Sequence, residues 1–409
     1  MGDASKSPAA RPMTANDHAA AAAESIIDRH LGLMFGIPGT RLAAIAWPTG
    51  GFTGRFGSWH YWWHAHLVDL LVDAAIHRPS GHPRRHEPTG AEDPSFDPEV
   101  ADVVIRLLRG IRWRNLGRWT NNYYDDMAWL GLAIERADRH LGLRHTKALN
   151  TLSGRMVEAW LPHLGGGIPW RTMDLFFNAP ANGPASILVA RTGHVERARA
   201  MADWMDATLI DPASGLVIDG VKPGSRGGPL QPVPDIYTYC QGVVLGVEVE
   251  LARRTDEPVH VDRIERLLTA VETHVCTDGV VHGAGGGDGG LFAGVLARYL
   301  ALIATDLPGT AARAQDLRRR AAAIVTSSAE AAWTHRVDTA DGPFFGPDWR
   351  RPATTPRDDG AKAEFVEGAV HSSQIAERDL SVQLSGWMAL EAAAAVELHR
   401  PEHTPTITK

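Results

Sequence analysis

Tyr123-Tyr124-Asp125-Asp126-Met127-Ala128-Trp129-Leu130-Gly131-Leu132-Ala133-Ile134-Glu135-Arg136-Ala137 runs from paired aromatics through two acids into an apolar stretch. The apolar positions recur at helical spacing, which predicts a helix over 125–140 that Leu141-Gly142 stops. Both acids fall in its first turn, where the partial positive charge of a helix N-terminus favours anions. Outward from this helix, the same period predicts eleven more, at 17–35, 59–77, 97–115, 144–161, 181–192, 194–209, 239–254, 258–275, 290–305, 309–333 and 377–398. Asp97-Pro98 reads as a cap followed by Pro at the first helical position, and the chain after Ala304 breaks at Pro308-Gly309. Strand alternation is nearly absent.

Gly- and Pro-rich connections at 47–57, 78–95, 163–170, 211–235, 279–290 and 339–370 recur about once per helix pair. Long connections alternating with short ones predict six helical hairpins with the long loops gathered on one rim. Closed on themselves, such hairpins make an all-α (α/α)6 toroid with a cleft on that rim. An open helical solenoid competes, but it calls for self-similarity at a fixed period, and none is visible. No connection resembles a disordered linker, so the expected organisation is a flexible tail over 1–15, one (α/α)6 domain over 16–400 and a C-terminal tail over 401–409.

The 409 residues carry a net charge of -7, with Lys and Arg scattered, which argues against a nucleic-acid partner. The short run Arg318-Arg319-Arg320 reads as a solvated helix face. No run of about 18 uninterrupted apolar residues predicts a transmembrane segment. The polar opening, with Glu24 breaking its alanines, does not read as a secretory leader, and two cysteines, Cys240 and Cys276, suit a reducing compartment. The expectation is therefore a cytoplasmic protein, with the cell envelope or export by another route as the alternative. Thirteen tryptophans exceed ordinary use. Rigid amphipathic rings of this kind fill cores, and they also stack on the apolar faces of sugars.

The tandem acids carry the sharpest chemistry. Neighbours on a helix diverge by about 100°, yet carboxyls so placed can lie about 5 Å apart, the separation used by retaining glycosidases. Two such acids cannot both ionise easily, so one pKa is expected to rise and the other to fall. The same dipeptide also arises where Asp merely caps a helix. In Trp59-His60-Tyr61-Trp62-Trp63-His64-Ala65-His66, His60 and His64 sit four apart as a metal pair would, but nothing resembling HExxH accompanies them. The segment reads instead as an inner helix lining the cleft, with no metal expected. Gly283-Ala284-Gly285-Gly286-Gly287-Asp288-Gly289-Gly290 lacks the Lys-Ser/Thr of a phosphate loop and reads as a mobile rim loop, with Asp288 a sugar contact or a helix cap. Cys276 has no persuasive His-Asn setting, and no usable GxSxG is present.

The run YYDDMAWLGLAIERA resembles the signature of glycoside hydrolase family 76, whose members carry tandem Asp after paired aromatics. Gly165-Gly166-Gly167-Ile168-Pro169-Trp170, Asn178-Ala179-Pro180-Ala181-Asn182-Gly183-Pro184, Ile236-Tyr237-Thr238-Tyr239-Cys240-Gln241-Gly242 and the helix beginning Leu291-Phe292-Ala293-Gly294 resemble later family segments in the same order. The likeness spans about 25–398. It implies an (α/α)6 toroid and a retaining endo-α-1,6-mannanase without cofactor. The substrate would be an α-mannan or a mannan-bearing glycolipid, such as the backbone of lipomannan or lipoarabinomannan. Asp125 matches the nucleophile and Asp126 the general acid/base. The resemblance supports Trp170, Asn178, Tyr237, Tyr239 and Gln241 as substrate contacts, and the residues' own setting adds Trp63, His66, Asn122, Tyr123, Tyr124 and Asp288 as candidates. Cys240, Ile236 and Pro169 depart from the family pattern and put subsite detail in question. Another carbohydrate enzyme on an α/α toroid (a different glycosidase, an epimerase or a lyase) and a non-catalytic mannan-binding protein are the competing readings.

Overall fold

A computed structural model describes residues 13–49, 57–78, 98–224, 228–358, 360–366 and 368–400. Among these, twelve α-helices follow one another: α1 (Ala15–His30), α2 (Tyr61–His77), α3 (Pro98–Arg114), α4 (Tyr124–His140), α5 (Thr146–Glu158), α6 (Ala179–Arg191), α7 (Val195–Thr208), α8 (Thr238–Thr255), α9 (Pro258–His274), α10 (Gly289–Asp306), α11 (Ala312–Thr334) and α12 (Leu380–Leu398). All twelve expected helices are present. Residues 1–12, Asp97 and 401–409 lie outside the described residues, and with them most of both expected tails and the proposed Asp97 cap. Thr14 caps α1 with a reciprocal bond to Asp17, so the helix begins at Ala15. α1 ends at His30 rather than at 35, because Leu31–Gly32 pairs with Leu42–Ala43 as a small antiparallel hairpin. Gly32, Gly36 and Pro38 disfavour a helix there.

The even-numbered helices form a closed ring. α2 packs on α4, α4 on α6, α6 on α8, α8 on α10, α10 on α12, and α12 returns to α2. The odd-numbered helices lie outside them. The sequence distinguishes the two layers physically. An inner helix touches neighbours all round and must be apolar all round: every residue of α6 from Ala179 to Ala190 is buried. An outer helix buries one stripe, as α9 does with His260, Ile264, Leu267, Leu268 and Val271. Close approach in the ring needs glycine at some crossings. A Cβ on Gly294 of α10 would lie 2.8 Å from Ser385 Cα of α12. The architecture is the (α/α)6 toroid. α10 has the length and apolar character of a membrane span, and it is an inner helix buried along most of its length.

The two ends of the ring differ. Connections entering the inner helices are long (31–60, 115–123, 159–178, 209–237, 275–288 and 335–379), whereas those leaving them include 141–145, 192–194, 256–257 and 307–311. The long connections carry short strands absent from the helical reading. Phe177–Asn178, Gly220–Pro223 and Leu230–Val233 form a three-stranded antiparallel sheet, and Glu364–Val366 pairs with Ala369–His371.

A network of buried ion pairs closes the opposite end, around a cavity of about 420 Å³. Arg136 of α4 and Arg298 of α10 each bind both Asp69 and Asp73 of α2. Arg191 of α6 bridges Glu135 of α4 and Glu250 of α8. Glu391 of α12 accepts from the Trp387 indole at 2.7 Å and pairs with His77 and Arg78. All six inner helices contribute to this network.

Candidate active site

A cleft of about 870 Å³ opens at the N-terminal ends of the inner helices. Asp125 and Asp126 occupy the first turn of α4, and both line it. Tyr124 N donates to Trp170 O at 2.9 Å and Thr172 N to Asn122 O at 2.9 Å, which fixes the start of α4 against the loop after α5. Each acid has its own donors. Asp125 accepts from Trp170 Nε1 at 2.9 Å and from the Asp126 backbone N–H at 2.8 Å. Asp126 accepts from Asn121 Nδ2 at 2.5 Å, while the Asn121 carbonyl oxygen takes the Tyr123 N–H at 2.9 Å.

Burial raises both pKa values, contrary to the expectation that one would fall. Desolvation pushes Asp125 up to about 6, against the pull of the Asp126 N–H and the Trp170 indole, which favour its anion. Desolvation and then the charge of Asp125 push Asp126 well above the carboxylate range, and the Asn121 amide offsets this only in part. Of the two, Asp126 holds a proton more strongly, so a single proton on the pair rests there and the anion on Asp125.

Two aromatic groups wall the cleft. On one side Tyr239 stacks on Phe292 at 3.9 Å, with Tyr237 and Trp62 alongside. On the other, Trp170 packs edge-on to Tyr123 at 5.3 Å and to Phe176 at 6.1 Å. Asp288, at the N-cap of α10, receives the Trp62 and Trp63 indole N–H groups on Oδ1 at 2.9 and 3.0 Å and the Val370 N–H on Oδ2 at 2.7 Å. It thereby anchors both the aromatic wall and the 364–371 hairpin. The glycine-rich loop before it is packed rather than loose. A Cβ on Gly287 would lie 2.1 Å from Val370 O, and Asp379 Oδ2 accepts the Gly287 N–H at 2.7 Å.

Of the residues singled out in the sequence, Asp125, Asp126, Asn122, Tyr123, Trp170, Asn178, Tyr237, Tyr239 and Asp288 line the cleft. Asn178 also caps α6 through the Ala181 N–H. Four others do not reach it. Tyr124 is turned outward beneath Arg155 of α5. Gln241 spends its amide on the Val217 backbone and on Tyr237 O. Trp63 is fully buried, with its indole N–H on Asp288 and its ring edge-on to His60 at 4.6 Å. His66 lies buried between Trp62 and Trp129. Asn182 does not cap its helix; its amide ties Ile168 N and O to α6. His64 sets its ring nitrogens against His60 O and Ala43 O, and burial keeps His60 and His64 neutral, at pKa values of about 3 and 4.

The sequence reading missed Asp219, Trp62 and Phe292, which also line the cleft. Asp219 is raised to about 7 by burial, then by Asp235 and Asp125. It sits in a connection where nothing but its polarity marked it. Trp62 lay one position from Trp63, the residue expected.

An α/α toroid whose open end holds paired, differently protonated carboxyls between aromatic walls has the equipment of a glycoside hydrolase. Residues 20–385 match the model of Glycosyl hydrolase family 76, and the chain belongs to that family. The structure is similar to that of the GH76A alpha-1,6-mannanase from Salegentibacter sp. HEL1_6, at 27% identity over 93% of this chain and 99% of that one, with a TM-score of 0.74. A second structure of that enzyme, an inactive variant with two consecutive aspartates changed to asparagine, holds alpha-1,6-mannotriose; it too is 27% identical, over 93% and 99% of the chains, with a TM-score of 0.73. A protein from Listeria innocua shares the fold at 23% identity over 95% and 99% of the chains, with a TM-score of 0.74. No curated protein sequence matches the chain.

Proposed function

We propose that the chain hydrolyses α-1,6-linked mannan from within, with retention, using Asp125 as nucleophile and Asp126 as general acid/base. The observation that carries this reading is the unequal support of the two acids. The indole and backbone donors on Asp125 favour its anion, whereas burial and then the neighbouring negative charge favour the protonated form of Asp126. Asp125 attacks the anomeric carbon while Asp126 protonates the departing glycosidic oxygen, giving a covalent mannosyl-enzyme. Asp126, now a carboxylate, takes a proton from water, and that water releases the sugar. Asp125, Asp126, Asp219 and Asp288 together make an acidic floor that suits the positive charge developing on the sugar ring. The aromatic walls suit pyranose faces, and a groove open at one end of the ring admits the interior of a chain. The similar Salegentibacter enzyme is described as an alpha-1,6-mannanase, which supports the linkage.

Digestion of linear α-1,6-mannan tests this. Average chain length should fall early, with oligosaccharides of mixed size. Release of mannose alone, or no cleavage of this linkage, overturns the endo-α-1,6 reading.

The pH profile follows from the same pair. Activity needs Asp125 ionised and Asp126 protonated, so kcat/KM should fall below about pH 6 as Asp125 takes up a proton. The alkaline limb should lie well above the carboxylate range, where Asp126 loses its proton. Trp170→Phe removes a donor to the Asp125 anion and should move the acid limb upward. An unmoved or lowered limb contradicts the assignment of the ionised partner.

A further inference from the structure

One face beside the cleft has a composition unlike the rest of this acidic chain. Between Asp28 and Asp69, and again between Asp102 and Asp125, there is no acidic residue, and the second interval holds Arg106, Arg109, Arg112, Arg114 and Arg118. The two segments meet in space. Arg41 N donates to Arg106 O at 2.9 Å, Arg109 Nη1 donates to Gly39 O at 2.7 Å, and the Arg114 guanidinium lies 5.9 Å from the Phe35 ring and 5.8 Å from the Trp59 ring. Arg106 pairs with Asp102. Among the described residues, Arg41, Arg109, Arg112, Arg114 and Arg118 form no ion pair.

Large apolar side chains stand out among these cations. Leu33 is 38% exposed, Phe35 44%, Trp113 56% and Leu116 88%. Leu116 also holds a left-handed backbone at φ +54°, a conformation leucine rarely adopts and one that is retained where the surrounding structure imposes it. Arg109 and Trp113 share a helix face four residues apart, and Leu116 follows at the tip of the next turn. Arg114, Asn115 and Trp59 carry the patch into the cleft wall.

We propose that this face, formed by the end of α3 and the loop after α1, docks on an anionic lipid bilayer beside the mouth of the cleft. Guanidinium groups without carboxylate partners meet lipid phosphates, while Trp113, Leu116 and Phe35 enter the headgroup boundary, where such side chains gain most from leaving water. A neutral glycan offers no counterpart to so many unpaired cations. The proposal stands apart from the mannanase reading, since vesicle binding is measured without turnover.

The test is co-sedimentation of the full chain with vesicles of phosphatidylcholine containing phosphatidylglycerol, against vesicles of phosphatidylcholine alone. Binding should require the anionic lipid and weaken with salt. Leu116→Asp combined with Arg118→Glu changes only exposed residues that do not line the cleft, and aspartate tolerates positive φ better than leucine. It should weaken vesicle binding at least about tenfold while turnover of soluble mannan is unchanged. No binding to anionic vesicles, equal binding to both lipids, or undiminished binding by the double variant each overturns the proposal. So does capture of a soluble polysulfate through these residues with no vesicle binding.

Discussion

Asp125→Asn should lower mannan turnover on the order of 10⁴-fold or more while leaving the fold intact. The amide keeps the shape of the side chain and can still accept from the Trp170 indole, but it cannot form the glycosyl ester. Asp126→Asn should fail differently. It leaves the nucleophile in place and removes the proton donor, so the loss should depend on the leaving group. A mannoside with an acidic phenol as leaving group needs little protonation. Its first step should be largely preserved in Asp126→Asn and abolished in Asp125→Asn, with the mannosyl-enzyme accumulating in the former because the base for water is missing. If both variants lose the two substrates equally, or the phenol restores Asp125→Asn, the roles are wrong. The similar Salegentibacter structure with two consecutive aspartates changed is described as inactive, the outcome expected here for the pair.

The second large effect lies at the far end of the ring. Asp69→Asn should destabilise the protein by about 3–5 kcal/mol, because Arg136 and Arg298 would then face Asp73 alone in a buried site. Burial by itself would raise the Asp69 pKa; the two guanidiniums reverse this and hold it below the carboxylate range. The sign of the pH dependence follows. A carboxylate held low in the folded state contributes stability above its unfolded pKa of about 4, and this is lost as pH falls through the folded value. Denaturant unfolding of the parent should therefore weaken below about pH 4, and the Asn variant should be less stable at neutral pH with a flatter acid response. A variant as stable as the parent at neutral pH would show that the network does not hold the inner helices.

The ring was legible because its requirements are local. Helical period, stops such as Leu141-Gly142 and alternating loop lengths place twelve helices without any knowledge of contacts. The tandem acids were legible because they begin a helix after a polar, aromatic run. What failed was direction around a helix. Tyr123 and Tyr124 are adjacent, but Tyr123 is the extended N-cap residue and faces the cleft, whereas Tyr124 opens the helix and turns beneath Arg155. A helical rotation of about 100° exchanged Trp62 for Trp63. Gln241 looked like a sugar contact, but the backbone at Val217 absorbs its amide, a partner 24 residues away that no local pattern announces. The ion network was invisible for the same reason: Asp69, Arg136, Arg191, Glu250, Arg298 and Glu391 each sit in an apolar helix, and their pairing exists only once the ring has closed.

The central claim is that one member of the pair bonds to the sugar while the other moves its proton. The most direct measurement is the anomeric configuration of the first sugar released, followed by proton NMR at early times during digestion of α-1,6-mannan. Double displacement through Asp125 predicts that the α-anomer appears first and then mutarotates. Initial release of the β-anomer would mean direct attack by water, and Asp125 could not then be the nucleophile.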